Sequence, residues 1–413
     1  MHLPDAVAAA LLGRLPRDVG AAAVRRGGST IVGVAPDEVA VGTGAEALAR
    51  LESLTPGLWV GWCAFELGHA LERVVPRGAS LEPPSVPDLA FARFGATARV
   101  TPDGVITVTG EGSGRDLLER AAVMVEVRRD ADTPMPGGDP RGWRSSLDRD
   151  GFEHRVAAVL DLLRAGECYQ VNLTRRLVHD SPHDAVAIYS ALAASHAAPH
   201  TGLFRLELPG GPVAVVCASP ERYLSWRGRT VETQPIKGTA TDAGELGRSA
   251  KDRAENVMIV DLARNDLGRV CEPGSIGVPT LCAVESHPGL HHLVSVVRGT
   301  LRPDVGIGTL VGATFPPASV TGAPKPRVLQ AIEDLETVRR GVYCGAFGWI
   351  DTACGDADLA VAIRTFTVYP HHTELGVGAG IVADSSPPSE WFETELKASR
   401  LLLVARAAEL LPS

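Results

Sequence analysis

Residues Gly345–Val382 read GAFGWIDTACGDADLAVAIRTFTVYPHHTELGVGAGIV. Three apolar runs stand out in it: GAFGWID (Gly345–Asp351), DLAVAIRTFTV (Asp358–Val368) and TELGVGAGIV (Thr373–Val382). Turn-forming residues bound each run, and the pattern predicts three successive strands. The connections between them are too short for a crossover helix, so the strands must pair antiparallel. A helix is expected to follow from about Ser389 to Leu403. Upstream, GPVAVVCAS (Gly211–Ser219) predicts another strand, and the alternation in STIVGVAP (Ser29–Pro36) and GVITVTG (Gly104–Gly110) suits half-buried ones. A second helix is expected from about Ser249 to Leu267. A third opens near Asp150, where Glu153 completes a capping-box-like start and Phe152, Val156, Val159, Leu160 and Leu163 recur at helical spacing. Strands in short-turn succession followed by helices predict a large α+β fold with antiparallel sheets, not a doubly wound βαβ one.

The stretch DADTPMPGGDPRGWRSS (Asp130–Ser146) is rich in Pro, Gly and Ser and reads as a linker. It divides the chain into an N-terminal region, 1–146, and a second region, 147–413. The net charge of −9 argues against nucleic acid or an anionic membrane as partner, since both require a basic face. No run of about 18 apolar residues occurs, so no membrane span is expected. The opening MHLPDAVAAALLGRLPRD has no basic stretch ahead of its apolar residues and reads as a short helix, not a signal peptide. The seven cysteines are scattered and never form a C-x-x-C pair, which argues against a zinc site or disulfide framework and for a reducing cytoplasm.

Several residues carry possible chemistry. Asp252 and Glu255 share one helix face, as do Glu390, Glu393 and Lys397 on another. Such carboxylate pairs suit a hard cation such as Mg²⁺, or else two solvated faces. Glu221 in SPERYL (Ser219–Leu224) stands at a strand end and is either a general acid or a surface carboxylate. Lys237, in a turn set by Pro235 and Gly238, is either a surface charge or a nucleophile of lowered pKa. The GVGAG run (Gly376–Gly380) has the wrong spacing and context for a dinucleotide loop, although its backbone N–H groups can hold a carboxylate.

Taken together, these segments resemble the chorismate-binding enzymes: anthranilate synthase component I, aminodeoxychorismate synthase component I, isochorismate synthase and salicylate synthase. The resemblance is dense from about Arg149 to Leu403. It rests on AGECYQVNLTRR (Ala165–Arg176), SPERYL, PIKGT (Pro235–Thr239), KDRAENVMIVDLARNDLGRVC (Lys251–Cys271), HHLVSVVRG (His291–Gly299) and FPPASVTGAPKPRVLQAIEDLE (Phe315–Glu336). RGVYCGAFGWID (Arg340–Asp351), AVAIRT (Ala360–Thr365), GVGAGIVADS (Gly376–Ser385) and EWFETELKA (Glu390–Ala398) complete it. The N-terminal region matches more weakly, through GLWVGWCAFELGH (Gly57–His69) and PDLAFARF (Pro87–Phe94). The implied fold is a two-sheet antiparallel β-sandwich core flanked by helices.

The resemblance also implies roles. Glu255 and Glu393 match the family's direct Mg²⁺ ligands, and Asp252 and Glu390 match positions that hold the metal's waters. Tyr343 and Arg364 match contacts to the enolpyruvyl carboxylate of chorismate, and Gly378 and Gly380 match glycines whose backbone meets the ring carboxylate. Ser319, Thr321, His292, Thr239 and Lys397 lie on site motifs. Glu221 matches the acid that protonates the departing 4-hydroxyl.

Two positions separate the members. Water-adding enzymes keep a lysine base where this chain has Gln170, which points to ammonia as nucleophile. Anthranilate synthases carry alanine in the turn where this chain has Lys237, whereas aminodeoxychorismate synthases carry lysine. The implied reaction is amination at carbon 4 through a covalent lysine intermediate, on the route to p-aminobenzoate and folate. Formation of anthranilate or 2-amino-2-deoxyisochorismate remains the alternative. No cysteine sits in a G-x-C-x-G-like elbow, so a separate glutaminase subunit is expected to supply the ammonia.

Overall fold

The computed structural model describes residues 2–75, 86–125, 142–195, 198–240, 242–287 and 290–409. Of the expected linker, Asp130 to Arg141 lie outside the described residues.

GPVAVVCAS forms the strand Gly211–Ser219. Its apolar run is continuous because both of its faces are covered. Val213, Val215 and Cys217 belong to a core that both sheets line, together with Trp62, Phe204 and Trp349. Ala214, Val216 and Ala218 face a second core, roofed by helices that include Leu3–Leu12 and Pro387–Glu409. A third core packs helices against the outer face of the other sheet, around Trp59, Phe91 and Leu359. The architecture is α+β, two antiparallel sheets sandwiched and flanked by helices, as the sequence led us to expect.

The first sheet runs from Gly322–Ala323 through Gln170–His179, Thr373–Ile381, Thr365–Val368, Gly211–Ser219 and His200–Leu208 to the strands Ala21–Arg26, Ser29–Val34, Thr97–Val100 and Ile106–Thr109. The second runs from Ile236–Ala240 through Leu290–Thr300, Thr230–Gln234, Arg222–Arg227, Asp356–Val361 and Ala346–Asp351 to Leu58–Cys63, Leu89–Arg93 and Glu38–Gly42. Strands from either side of the expected linker therefore share both sheets, those before Asp130 forming the far end of each.

Two corners between the sheets build the site. The run DLAVAIRTFTV is not one strand but two. Asp356–Val361 lies in the second sheet and Thr365–Val368 in the first, and Arg364 turns the corner at φ 51°. Gly211–Ser219 passes to Arg222–Arg227 in the same way, with Glu221 at the bend. The corners are tied together: Ala218 N donates to Arg364 O at 3.1 Å and Val361 N to Glu221 O at 3.0 Å. Strands that switch sheets make the corners of a sandwich, and here they bring Glu221 and Arg364 to one end of it.

Other details differ from expectation. Asp148, not Asp150, caps its helix by accepting from Gly151 N at 2.8 Å, while Glu153 is held by Arg149 at 2.6 Å instead of closing a capping box. The last helix reaches Glu409 because apolar residues continue to Val404, Ala405, Ala407 and Ala408. Lys237 lies on a strand, Ile236–Ala240, not in a turn. That strand is at the sheet edge, Pro235 O just before it accepts from Ser295 N at 3.2 Å, and Gly238 at φ 75° takes up a register shift between Lys237 and Thr239. Among the described residues no helix is long and apolar enough to cross a membrane.

Candidate active site

Lys237 reaches from its edge strand into the space between the sheet ends. Its Nζ donates to Ser319 O at 3.2 Å. A Cβ added to Gly380 would lie 3.5 Å from this Nζ and 3.4 Å from Gln170 Nε2. Glycine at 380 thus leaves the lysine and glutamine ends open to a common space. Gln170 is fully buried, yet neither its Oε1 nor its Nε2 has a hydrogen-bond partner. Buried amides are almost always satisfied, so an orphaned one marks a place where a ligand's donors and acceptors belong.

Glu221 lies opposite, buried, with Ile236 N 3.4 Å from its Oε1. Burial pushes its pKa up to about 7, against a hydrogen bond from Ser319, the charge of Lys237 and the Ile236 N–H, which pull it down. Burial lowers the pKa of Lys237; Glu221, Glu255 and Glu393 oppose that shift, and the like charge of Lys397 adds to it. A carboxyl that is partly protonated at neutral pH stands beside an amine that is easier to deprotonate than usual, an arrangement suited to acid and nucleophile roles.

The remaining expected residues fall around this pair. Ser319 and Thr321 flank Val320 in a short 3₁₀ turn, and the Thr321 hydroxyl donates to Pro317 O at 2.9 Å. His292 is buried on the neighbouring strand, in register with Thr239, whose side chain is outside the described residues. Lys397 Nζ donates to Gly378 O at 2.9 Å. The Tyr343 ring lies against Gly376, where a Cβ would come within 2.1 Å of it. Arg364 is half-buried; burial and the nearby Arg400 lower its pKa, and among the described residues no carboxylate pairs with it. A half-buried guanidinium that no carboxylate among the described residues pairs suits an anionic group of a ligand.

The four acidic residues meet across two helix starts. Ser249 caps Ala250–Gly268, whose first turns carry Asp252 and Glu255, and Glu390 and Glu393 open Pro387–Glu409. Burial raises the pKa of Glu255, with Asp252 and Glu393 adding to it against Lys237 and Lys251. Burial also raises that of Glu390, with Glu393 adding to it. Glu393 is paired with Lys397 at 2.6 Å, and Lys251 stands 4.0 Å from Glu255. Carboxylates close enough to oppose one another's ionisation form an all-oxygen donor set that a hard divalent cation would relieve, so the residues fit Mg²⁺.

Sequence reasoning missed what holds this site in place. Arg340 is buried and forked onto Glu336, and it also donates to Val320 O at 2.9 Å and Asn172 O at 2.6 Å. It thereby fixes the turn carrying Ser319 and Thr321 against the Gln170 strand. Glu66, from the N-terminal half, accepts from Arg340 N at 2.7 Å and Gly341 N at 3.0 Å, and burial pushes its pKa up to about 7. The signal was present in the sequence as a lone acid inside the apolar run GWCAFELG.

The family profile described as "chorismate binding enzyme" matches residues 25–403, nearly the whole chain. The chain belongs to the chorismate-binding enzyme family. Aminodeoxychorismate synthase component 1 of Klebsiella aerogenes is 40% identical over 270 residues, covering 63% of this chain and 59% of that protein. The match thus spans less than two thirds of that relative's length. Anthranilate synthase component 1 of Streptomyces coelicolor is 40% identical over 397 residues, covering 88% of this chain and 76% of that protein. Among solved structures, anthranilate synthase component I from Streptococcus pneumoniae superposes with a TM-score of 0.75 at 26% identity, covering 92% of this chain and 93% of that one. Relatives with two different names stand at equal identity, so the choice between them falls to the residues of the site themselves.

Proposed function

We propose that this chain aminates chorismate at carbon 4, giving 4-amino-4-deoxychorismate, with ammonia delivered by a separate glutaminase subunit. One observation carries the reading: the amine of Lys237, lowered in basicity by burial, lies beside Glu221, whose carboxyl titrates at about 7. Neutral Lys237 attacks carbon 2 of the ring. The ring diene shifts, the bond from carbon 4 to oxygen breaks, and Glu221 gives its proton to the departing hydroxyl, which leaves as water. Ammonia then attacks carbon 4, the diene shifts back, and the bond from carbon 2 to Lys237 breaks, freeing the neutral amine. The new ammonium group returns a proton to Glu221, so the balance is chorismate and ammonia to aminodeoxychorismate and water. Hydroxide leaves poorly unless protonated, and this is the work asked of Glu221. Gln170 offers an unpaired carbonyl oxygen to the N–H groups of ammonia and has no basicity with which to activate water. Arg364 and Tyr343 are assigned to the enolpyruvyl carboxylate.

Glu255 and Glu393 would hold Mg²⁺, with Asp252 and Glu390 on its waters. When bound, the ion supplies positive charge for the ring carboxylate. EDTA is expected to abolish turnover and added Mg²⁺ to restore it. Glu255→Gln and Glu393→Gln should each raise the requirement for metal and for chorismate together. Full activity in chelated, metal-free buffer contradicts this assignment.

The alternative, amination at carbon 2, is favoured by the similarity to the Streptomyces coelicolor anthranilate synthase. Against it stands Lys237, where similar carbon-2 enzymes carry alanine. The purified chain should turn over chorismate with ammonium salts and Mg²⁺, more readily at raised pH, where free ammonia is more abundant. Glutamine should support turnover only when a glutaminase is added. Glutamine hydrolysis by the isolated chain would overturn the two-subunit reading.

A further inference from the structure

At the opposite end of the last helix lies a cluster that the reaction does not use. His179 ends the strand Gln170–His179, His183 follows in the next turn, and Glu409 stands at the end of Pro387–Glu409. One ligand atom from each lies within 4.8 Å of the others. The cysteines spoke against zinc, but these are imidazole and carboxylate donors.

The hydrogen bonds fix which nitrogen of His183 faces the cluster. The Thr373 hydroxyl has one proton and two lone pairs. It donates to Ser181 O at 3.3 Å and accepts from His183 N at 3.0 Å. His183 Nδ1 lies 3.0 Å from the same hydroxyl, which leaves Nε2 as the ring nitrogen on the Glu409 side. That Nε2 belongs to a side chain only 3% exposed and faces the Glu409 carboxylate at 3.1 Å. His179 Nδ1 lies at the Ser181 backbone, 3.2 Å from its O and 3.4 Å from its N, so Nε2 is the ring nitrogen left free of that contact. A Cβ on Gly142 would sit 2.7 Å from this Nε2, so glycine keeps the nitrogen approachable. The Trp143 ring stacks on His183 and flanks His179, walling one side with apolar surface.

We propose that His179, His183 and Glu409 form a binding site for a borderline divalent metal ion, zinc by preference, that clips the end of the last helix to the first sheet. Two imidazoles and one carboxylate with a fourth position for water form a set that zinc accepts. Both rings are already oriented through Nδ1, at the Ser181 backbone and the Thr373 hydroxyl, as the second ring nitrogen of a metal-bound histidine usually is. The site lies roughly 24 Å along the helix from Glu393, by the rise of 1.5 Å per residue, so it is separate from the Mg²⁺ carboxylates.

The test is titration of the full chain with Co²⁺ in excess Mg²⁺, which occupies oxygen-only sites. One equivalent of Co²⁺ should bind with visible bands of a four- or five-coordinate ion, and Zn²⁺ should displace it and raise the Tm. His179→Ala and the exposed-side Glu409→Gln should each weaken binding at least about tenfold, and both variants are expected to fold, whatever becomes of buried His183→Ala. Absence of visible bands in the unmodified chain overturns the proposal, as does affinity unchanged in both variants. Loss of stability in Glu409→Gln without any metal binding would instead identify a simple imidazolium–carboxylate pair.

Discussion

Lys237→Ala is expected to cut formation of 4-amino-4-deoxychorismate by on the order of 10⁴–10⁶-fold, as when other catalytic nucleophiles are removed. The substitution truncates one side chain on an edge strand whose backbone pairing to Leu290–Thr300 does not depend on it. Glu221, the acidic helices and Arg364 are untouched, so the variant should fold and bind chorismate. Slow direct attack of ammonia at carbon 2 is then expected to surface, giving 2-amino-2-deoxyisochorismate or anthranilate. Lys237→Arg separates chemistry from charge. Arginine keeps the positive charge beside Glu221 but offers no nucleophilic amine at neutral pH. If the lysine only balances charge, the arginine variant keeps most of its activity; if it attacks the ring, arginine fails as alanine does. Steady-state rates of the two variants with product identification make the comparison.

Glu221→Gln should lower kcat by roughly 10²–10⁴-fold, the usual contribution of a positioned acid. Its pH signature is the sharper readout. Glu221 acts in its protonated form, and its carboxyl titrates at about 7. With ammonia saturating, Glu221 should therefore contribute a limb of kcat that falls as pH rises through that value, opposite in sign to the rising limb of the Lys237 amine, which attacks only when neutral. The glutamine variant should lose the falling limb, since an amide does not titrate. An unaltered pH profile in the variant assigns the limb to another group and removes Glu221 from the acid role.

Much of this was legible in the sequence because local chemistry and local structure agree. GPVAVVCAS, the Ser249-capped helix and the two acidic helix faces are short-range patterns, and the folded chain keeps them. The corner at Arg364 was not legible. DLAVAIRTFTV stays apolar through the bend, so nothing in its periodicity marks where the chain leaves one sheet for the other. Lys237 was read into a turn because Pro235 and Gly238 are turn residues, yet an edge strand with a register shift accommodates both. The contact of Glu66 with Arg340, and the meeting of His179 and His183 with Glu409, join residues hundreds of positions apart. Single-sequence spacing carries no information about such contacts.

The most direct test of carbon-4 amination is incubation of the purified chain with chorismate, Mg²⁺ and ¹⁵N-labelled ammonium, followed by NMR of the product. The label should appear on carbon 4, with the enolpyruvyl group retained, in 4-amino-4-deoxychorismate. Label on carbon 2, as 2-amino-2-deoxyisochorismate or anthranilate, or an unlabelled isochorismate, would contradict the account.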